Sequence, residues 1–272
     1  MIDKNKVKKN FSSAENYDNH TSYHNMTLAM ISKSIKNFNY KKTGINILNI
    51  LDVGCGTAKG YESLIKNIKR GSFNYFGLDM AAGLLNKAKI KINRISGDNA
   101  NACLICGDAE LMPFQHYKFD VIFSNITLHW LNDIDAFLSR CKFSLKDDGI
   151  MIFSFLISGT LNELRESFKN DENGAGLKFH EFPEIEHFIE QTCAAGLKIE
   201  YSDVIKYIET AESSLKLLKR MNLLGAKNAN NDNRFGTGLL RKGLKNYDIK
   251  FRNNDNMTYC TYKIAYLILS KK

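Results

Sequence analysis

One stretch constrains this chain of 272 residues more than any other: Ile47-Leu48-Asn49-Ile50-Leu51-Asp52-Val53-Gly54-Cys55-Gly56-Thr57-Ala58-Lys59-Gly60. Ile47, Leu48, Ile50, Leu51 and Val53 form a near-continuous apolar run, the pattern of a parallel strand covered on both faces. Gly54 and Gly56 permit a tight turn and let a ligand approach bare backbone. A helix over residues 60–69 follows, and its free N–H groups point back at the turn. A dinucleotide fingerprint wants glycine at the first, third and sixth positions of the turn, and the sixth is Lys59. That departure counts against NAD or FAD. A strand, turn and helix without a ligand is the plain alternative.

Further strands follow at the expected intervals. Residues 74–79 end in Asp79, some twenty residues past the turn, where a carboxylate accepts both hydroxyls of a ribose. Such an acid serves more than one nucleoside cofactor, and it also suits a helix N-cap before Ala81-Ala82. Residues 102–106 form a third strand and lead into Gly107-Asp108-Ala109-Glu110. Residues 119–125 form a fourth. Ligands bind at the C-terminal ends of such strands, so Asn125 and His129 are expected to face the site, with Trp130 as a wall. A helix-face histidine and a core tryptophan are the competing readings. Residues 141–145 read as helix, 146–149 as a turn and 150–155 as a fifth strand. The repeated strand–helix units imply an α/β, doubly wound sheet with helices on both faces. Residues 183–195 read as a helix, 198–208 as a strand and 258–269 as the last strand. Residues 209–256 read as a small helical cap, and residues 1–10 as a mobile basic arm.

The net charge of +9 is unevenly placed. Residues 1–43 carry net +5, residues 209–256 carry net +5, and the remainder sums to about −1. Peripheral basic segments attract an acidic partner, though solvated lysines of a basic proteome explain them too. No stretch approaches the roughly 18 apolar residues of a membrane span, and the lysine-rich start has no signal-peptide core. The six cysteines are scattered, as in a reduced cytoplasmic protein. Cys103 and Cys106 form one C-x-x-C without a second pair, so no metal is expected. Aromatic and basic residues do not interleave along one strand face, which argues against nucleic acid.

Leu51-Asp52-Val53-Gly54-Cys55-Gly56-Thr57 resembles the first motif of class I S-adenosylmethionine (SAM) methyltransferases. Under that resemblance Asp52 faces the methionine ammonium, and Gly54, Cys55 and Gly56 form the turn. Asp79 and Met80 take the ribose region. Asp108 takes the adenine amine, with the Ala109 N–H near a ring nitrogen, and Asn125 completes the set. The likeness extends from end to end to the malonyl-acyl carrier protein O-methyltransferase family of biotin synthesis. It is carried by Phe11-Ser12, Tyr17-Asp18, Ser124-Asn125 and Phe153-Ser154, and by the more specific Gly159-Thr160-Leu161-x-Glu163-Leu164-Arg165 and Gly225-Ala226-x-Asn228. Ala58, His129 and Asp147-Asp148 depart from the family pattern.

The resemblance implies a seven-stranded Rossmann-like methyltransferase sheet over 44–208 and 257–272. It also implies an N-terminal segment, 1–43, closing over the site, and a cap, 209–256, helped by part of 156–182. It implies methyl transfer to the free carboxylate of malonyl-acyl carrier protein. A carboxylate of pKa about 4 is already ionised at neutral pH, so no general base is required. Arg165 is the candidate to hold it, through a planar fork. Tyr17 and His20 would close over the ligands, with His129 and Trp130 beside them. Lys216, Lys219, Arg220, Arg241, Lys242 and Lys245 would steer the acidic carrier. A class I methyltransferase acting on another small acid or a quinone precursor is the rival, and carbon methylation would need a base such as His129.

Overall fold

The computed structural model describes residues 1–12, 18, 22–41, 47–68, 73–97, 100–168, 180–223 and 237–272. Seven strands form one sheet: β1 (Leu48–Val53), β2 (Phe73–Asp79), β3 (Ala102–Cys106), β4 (Phe119–Asn125), β5 (Leu145–Leu156), β6 (Leu197–Ala211) and β7 (Thr258–Lys271). Their spatial order is β3-β2-β1-β4-β5-β7-β6. The first five run parallel, and β7 lies antiparallel between β5 and β6. The order reverses between β1 and β4, which opens a crevice at the C-terminal ends of those strands.

Both faces are covered, which is why β1 is apolar almost throughout. Leu48 and Ile50 pack on one face with Ile31, Ile35, Leu64 and Ala88, from α2 (Ser22–Lys41), α3 (Lys59–Asn67) and α4 (Ala82–Ser96). Leu51 and Val53 point the other way, toward Phe137 and Phe188 of α5 (Ile134–Ser144) and α7 (Ile185–Ala194). Each such fully buried side chain contributes about 1.5–3 kcal/mol. A third cluster joins Leu164 of α6 (Asn162–Ser167), Leu217 of α8 (Ser214–Leu223) and Tyr247 of α9 (Thr237–Lys250) to Tyr262 and Ile264 of β7.

Three boundaries differ from expectation. Residues 146–149 belong to β5, because Leu145 is buried opposite Phe119 and Lys146 reaches the buried Asp120 carboxylate at 2.8 Å. Residues 209–211 continue β6, paired with 258–260 of β7. The expected arm at 1–10 is largely helix: α1 spans Lys4–Ser12. Asp3 accepts hydrogen bonds from the N–H groups of Asn5 and Lys6, which caps that helix.

Candidate active site

The glycine turn after β1 forms as the sequence implies. Gly54 has φ +76°, and a Cβ there would lie 2.3 Å from Thr127 Oγ1. Only glycine fits, because Thr127 is β-branched and stiff. The Gly54 and Cys55 N–H groups both donate to the Leu78 carbonyl, at 2.7 and 3.1 Å. Gly56 N–H donates to Asp79 Oδ2 at 2.8 Å, and Ala81 N–H to Oδ1 at 2.8 Å. β1 and β2 are therefore stitched together at the mouth of the crevice. Ala58 is buried with φ +59°. A left-handed alanine costs about 1–2 kcal/mol, and the turn is formed nonetheless.

A pocket opens above this turn. Gly54, Gly56, Asp79, Met80, Asp108, Ala109 and Trp130 all line it. Leu78, Leu84, Ile126 and Leu131 supply apolar walls. Burial raises the Asp79 carboxyl pKa, while N–H donation from Ala81 and Gly56 opposes the rise. An apolar slot with one carboxylate at the glycine turn and another past β3 suits a nucleoside: a diol for Asp79, an aromatic amine for Asp108. These residues fit S-adenosylmethionine. Among the described residues no three His, Cys, Asp or Glu side chains gather to hold a metal ion. No helix among them is long and apolar enough to cross a membrane.

One wall comes from α1, in the stretch read by itself as a mobile arm and, under the resemblance, as part of a segment closing over the site. Lys4, Val7 and Phe11 line the pocket, spaced so that one helix face covers it. Lys4 Nζ pairs with Asp108 at 2.6 Å and with Glu110 at 2.5 Å. Ile2 exchanges two hydrogen bonds with Asn132, and Phe11 meets Trp130 edge-on at 5.6 Å. The available signal was Asp3 followed by Val7 and Phe11. The next anchor is Asp18, which accepts from Thr57 at 2.6 Å and pairs with the buried Lys91 at 2.5 Å. Burial works to raise the Asp18 pKa, but the Lys91 and Thr57 bonds and the nearby lysines outweigh it and leave the pKa lowered.

Other expected site residues are placed elsewhere. Asp52 is buried beneath the turn, where Oδ2 accepts from the Tyr75 hydroxyl at 2.6 Å, and it does not line the pocket. The Cys55 thiol is also buried, facing Gly77 of β2 rather than the pocket. Asn125 has its amide engaged: Oδ1 accepts from Thr27 and Ser154, both at 2.6 Å, and Nδ2 donates to the His24 carbonyl. It clamps α2 to the ends of β4 and β5 and is not among the pocket-lining residues. His129 is buried among Trp130, His180 and Phe182, and desolvation pushes its pKa far down, so its ring is neutral. Arg165 lies on α6, where Nη2 donates to the His180 carbonyl. Tyr17 and His20 lie outside the described residues.

The buried Asp52 makes a pH prediction. Desolvation raises its pKa to about 7, with the Tyr75 bond pulling down and Asp79 pushing up. Its stabilising contribution is complete below the unfolded pKa of about 3.9 and is lost as pH climbs to about 7. Thermal melts of wild type and Asp52→Asn should therefore diverge, with wild type losing ground between pH 4 and 7. Parallel curves would contradict the assignment.

The comparisons with known proteins agree with this geometry. The family described as "Methyltransferase domain" matches residues 51–153, from β1 into β5. A methyltransferase of Rickettsia prowazekii is 32% identical over 82% of this chain and 94% of its own length. The crystal structure of a methyltransferase from Bacillus halodurans C-125 superposes with a TM-score of 0.61 at 14% identity, covering 88% of this chain and 99% of that one. The chain belongs to the class I S-adenosylmethionine-dependent methyltransferases. Within that class, the malonyl-[acyl-carrier protein] O-methyltransferase of Acetivibrio thermocellus is 28% identical over 100% of this chain and 95% of its own length. The biotin biosynthesis bifunctional protein BioHC of Saccharophagus degradans is 31% identical over 82% of this chain, which spans only 40% of that longer protein.

Proposed function

We propose that this chain methylates the free carboxylate of a malonyl thioester on acyl carrier protein, an early step of biotin synthesis that leaves S-adenosylhomocysteine. The observation that carries this reading is the extent of the likeness. Relatives with that name match from end to end, far beyond residues 51–153. When bound, S-adenosylmethionine supplies a sulfonium-activated methyl group to an oxygen nucleophile.

The residues suit an acceptor that arrives already ionised. His129, the base that carbon methylation would need, is buried and does not line the pocket, which disfavours carbon methylation. What the chain supplies is position and dryness, together worth about 7–11 kcal/mol when geometry is good. α1 covers the pocket mouth, and the Trp130 ring packs, tilted, 4.7 Å from that of His180. Arg165 holds the carboxylate through its planar fork. Residues 1–43, including Tyr17 and His20, act as the closing segment.

The insertion between β6 and β7, residues 212–257, acts as the basic cap. Lys216, Lys219, Arg241, Lys242 and Lys245 are exposed on α8 and α9. Lys216 pairs with Glu212 and Arg220 with Glu209, so part of the field is locally offset. Long-range steering of an acidic carrier protein is left to the rest. The six free thiols suit a reducing cytoplasm.

Mass spectrometry after incubation with S-adenosylmethionine and malonyl-acyl carrier protein is expected to show one added methylene on the malonyl group. The KM for the carrier should rise with ionic strength, while malonyl-coenzyme A should show less salt dependence. Cofactor binding without transfer to either thioester would overturn the reading.

A further inference from the structure

We propose that His180 is the positioning residue that holds Arg165 for the acceptor carboxylate. The inference rests on the role given to Arg165 above. Leu161, at φ +57°, donates its N–H to the Thr261 carbonyl at 2.8 Å. Thr160 Oγ1 donates to the Lys263 carbonyl at 3.0 Å, and Glu163 accepts from the Thr261 N–H and hydroxyl at 3.2 and 2.5 Å. These bonds hook the α6 backbone onto β7. They do not choose a rotamer for a long arginine, whose side chain loses up to about 2 kcal/mol of entropy when ordered.

The His180 main chain contributes to that choice, because its carbonyl accepts from Arg165 Nη2. The His180 ring in turn fixes its own carbonyl. Nε2 lies 2.9 Å from the His129 carbonyl oxygen. A carbonyl only accepts, so Nε2 carries the hydrogen, and in the neutral ring Nδ1 is a bare lone pair. Burial favours that neutral form by lowering the pKa, although the His129 bond works against it. The ring also lies on Trp130 at 4.7 Å, with Phe182 edge-on at 5.0 Å. Packing alone would be served by leucine or phenylalanine. The histidine instead leaves Nδ1 buried with no hydrogen-bond partner among the described residues, at a cost of about 1–3 kcal/mol. The Nε2 donor is what the position gains. Trp130 also lines the cofactor pocket, so one ring separates the cofactor wall from the group that orients Arg165.

The test is a double-mutant cycle on the full chain, with malonyl-acyl carrier protein as acceptor and S-adenosylhomocysteine affinity measured alongside. His180→Met keeps volume and removes the donor, and His180→Gln restores an Nε2 donor. His180→Met should raise the acceptor KM about tenfold, with homocysteine-product affinity within twofold of wild type. His180→Gln should recover most of the loss. Adding His180→Met to Arg165→Ala should cost less than a further twofold, because the two act as one unit. Multiplying losses, an unaffected His180→Met, or an equal loss of cofactor affinity would overturn the proposal while leaving Arg165 impaired on its own. An Arg165→Ala protein with full activity would instead overturn the role of Arg165, and this proposal with it.

Discussion

Replacing Gly54 with alanine is expected to reduce cofactor affinity by about a hundredfold or more, some 2.7 kcal/mol. Two costs coincide at this position. The new Cβ would stand 2.3 Å from Thr127 Oγ1 and 2.5 Å from its Cγ2, and the backbone sits at φ +76°. Thr127 has little rotamer freedom to yield, so the turn itself must shift. The turn is also the floor of the pocket, since Gly54 and Gly56 line it and Gly56 N–H positions Asp79. Calorimetry with S-adenosylhomocysteine checks the loss. Gly238→Ala is the control, because a Cβ there meets nothing within 4 Å. Adding Thr127→Ala to Gly54→Ala should recover only part of the steric share, because the Thr127 Cβ itself would stand 2.8 Å from the new one. Wild-type affinity in the Gly54→Ala protein would mean that the turn does not bind the cofactor.

The second large effect is expected at Arg165. Arg165→Ala should lower kcat/KM for the malonyl thioester by about a hundredfold, and S-adenosylhomocysteine affinity by no more than about twofold. Hydrogen bonds to a charged group contribute about 1.5–3 kcal/mol, which brackets that loss. Arg165→Lys should recover only part, because an ammonium is a point charge without a planar fork. The split between acceptor and cofactor terms separates this from general destabilisation, since Arg165 is not among the pocket-lining residues. Equal losses in both terms would make Arg165 a structural residue.

Much of this site was legible as type and spacing. The apolar run of β1, Gly54 and Gly56, Asp79 at the end of β2, and Asp108 after β3 each follow from local rules. Gly54, Gly56, Asp79 and Asp108 line the pocket together with Met80, Ala109 and Trp130. Asp52 and Asn125 take partners that the local pattern does not name, for a common reason. Both stand at or near the C-terminal end of a strand, but a side chain's face and its nearest partner are not local properties. Tyr75, on the neighbouring strand, takes Asp52, and Thr27 of α2 takes Asn125. His129 was ambiguous between site and core, and its aromatic surroundings bury it.

The amino-acid sequence by itself determined the parallel sheet, its glycine turn and the acids at its strand ends. Period, chain entropy and backbone sterics act over a few residues and are written there. Only the tertiary structure decided that α1 folds back over the pocket, with Lys4 on Asp108 and Glu110 across about a hundred positions of chain. It alone brought the His180 carbonyl to Arg165 and the His180 ring to the His129 carbonyl. Such contacts arise when elements distant in the chain bury their apolar faces against the same sheet. Their polar groups must then find partners among whatever that packing brings near.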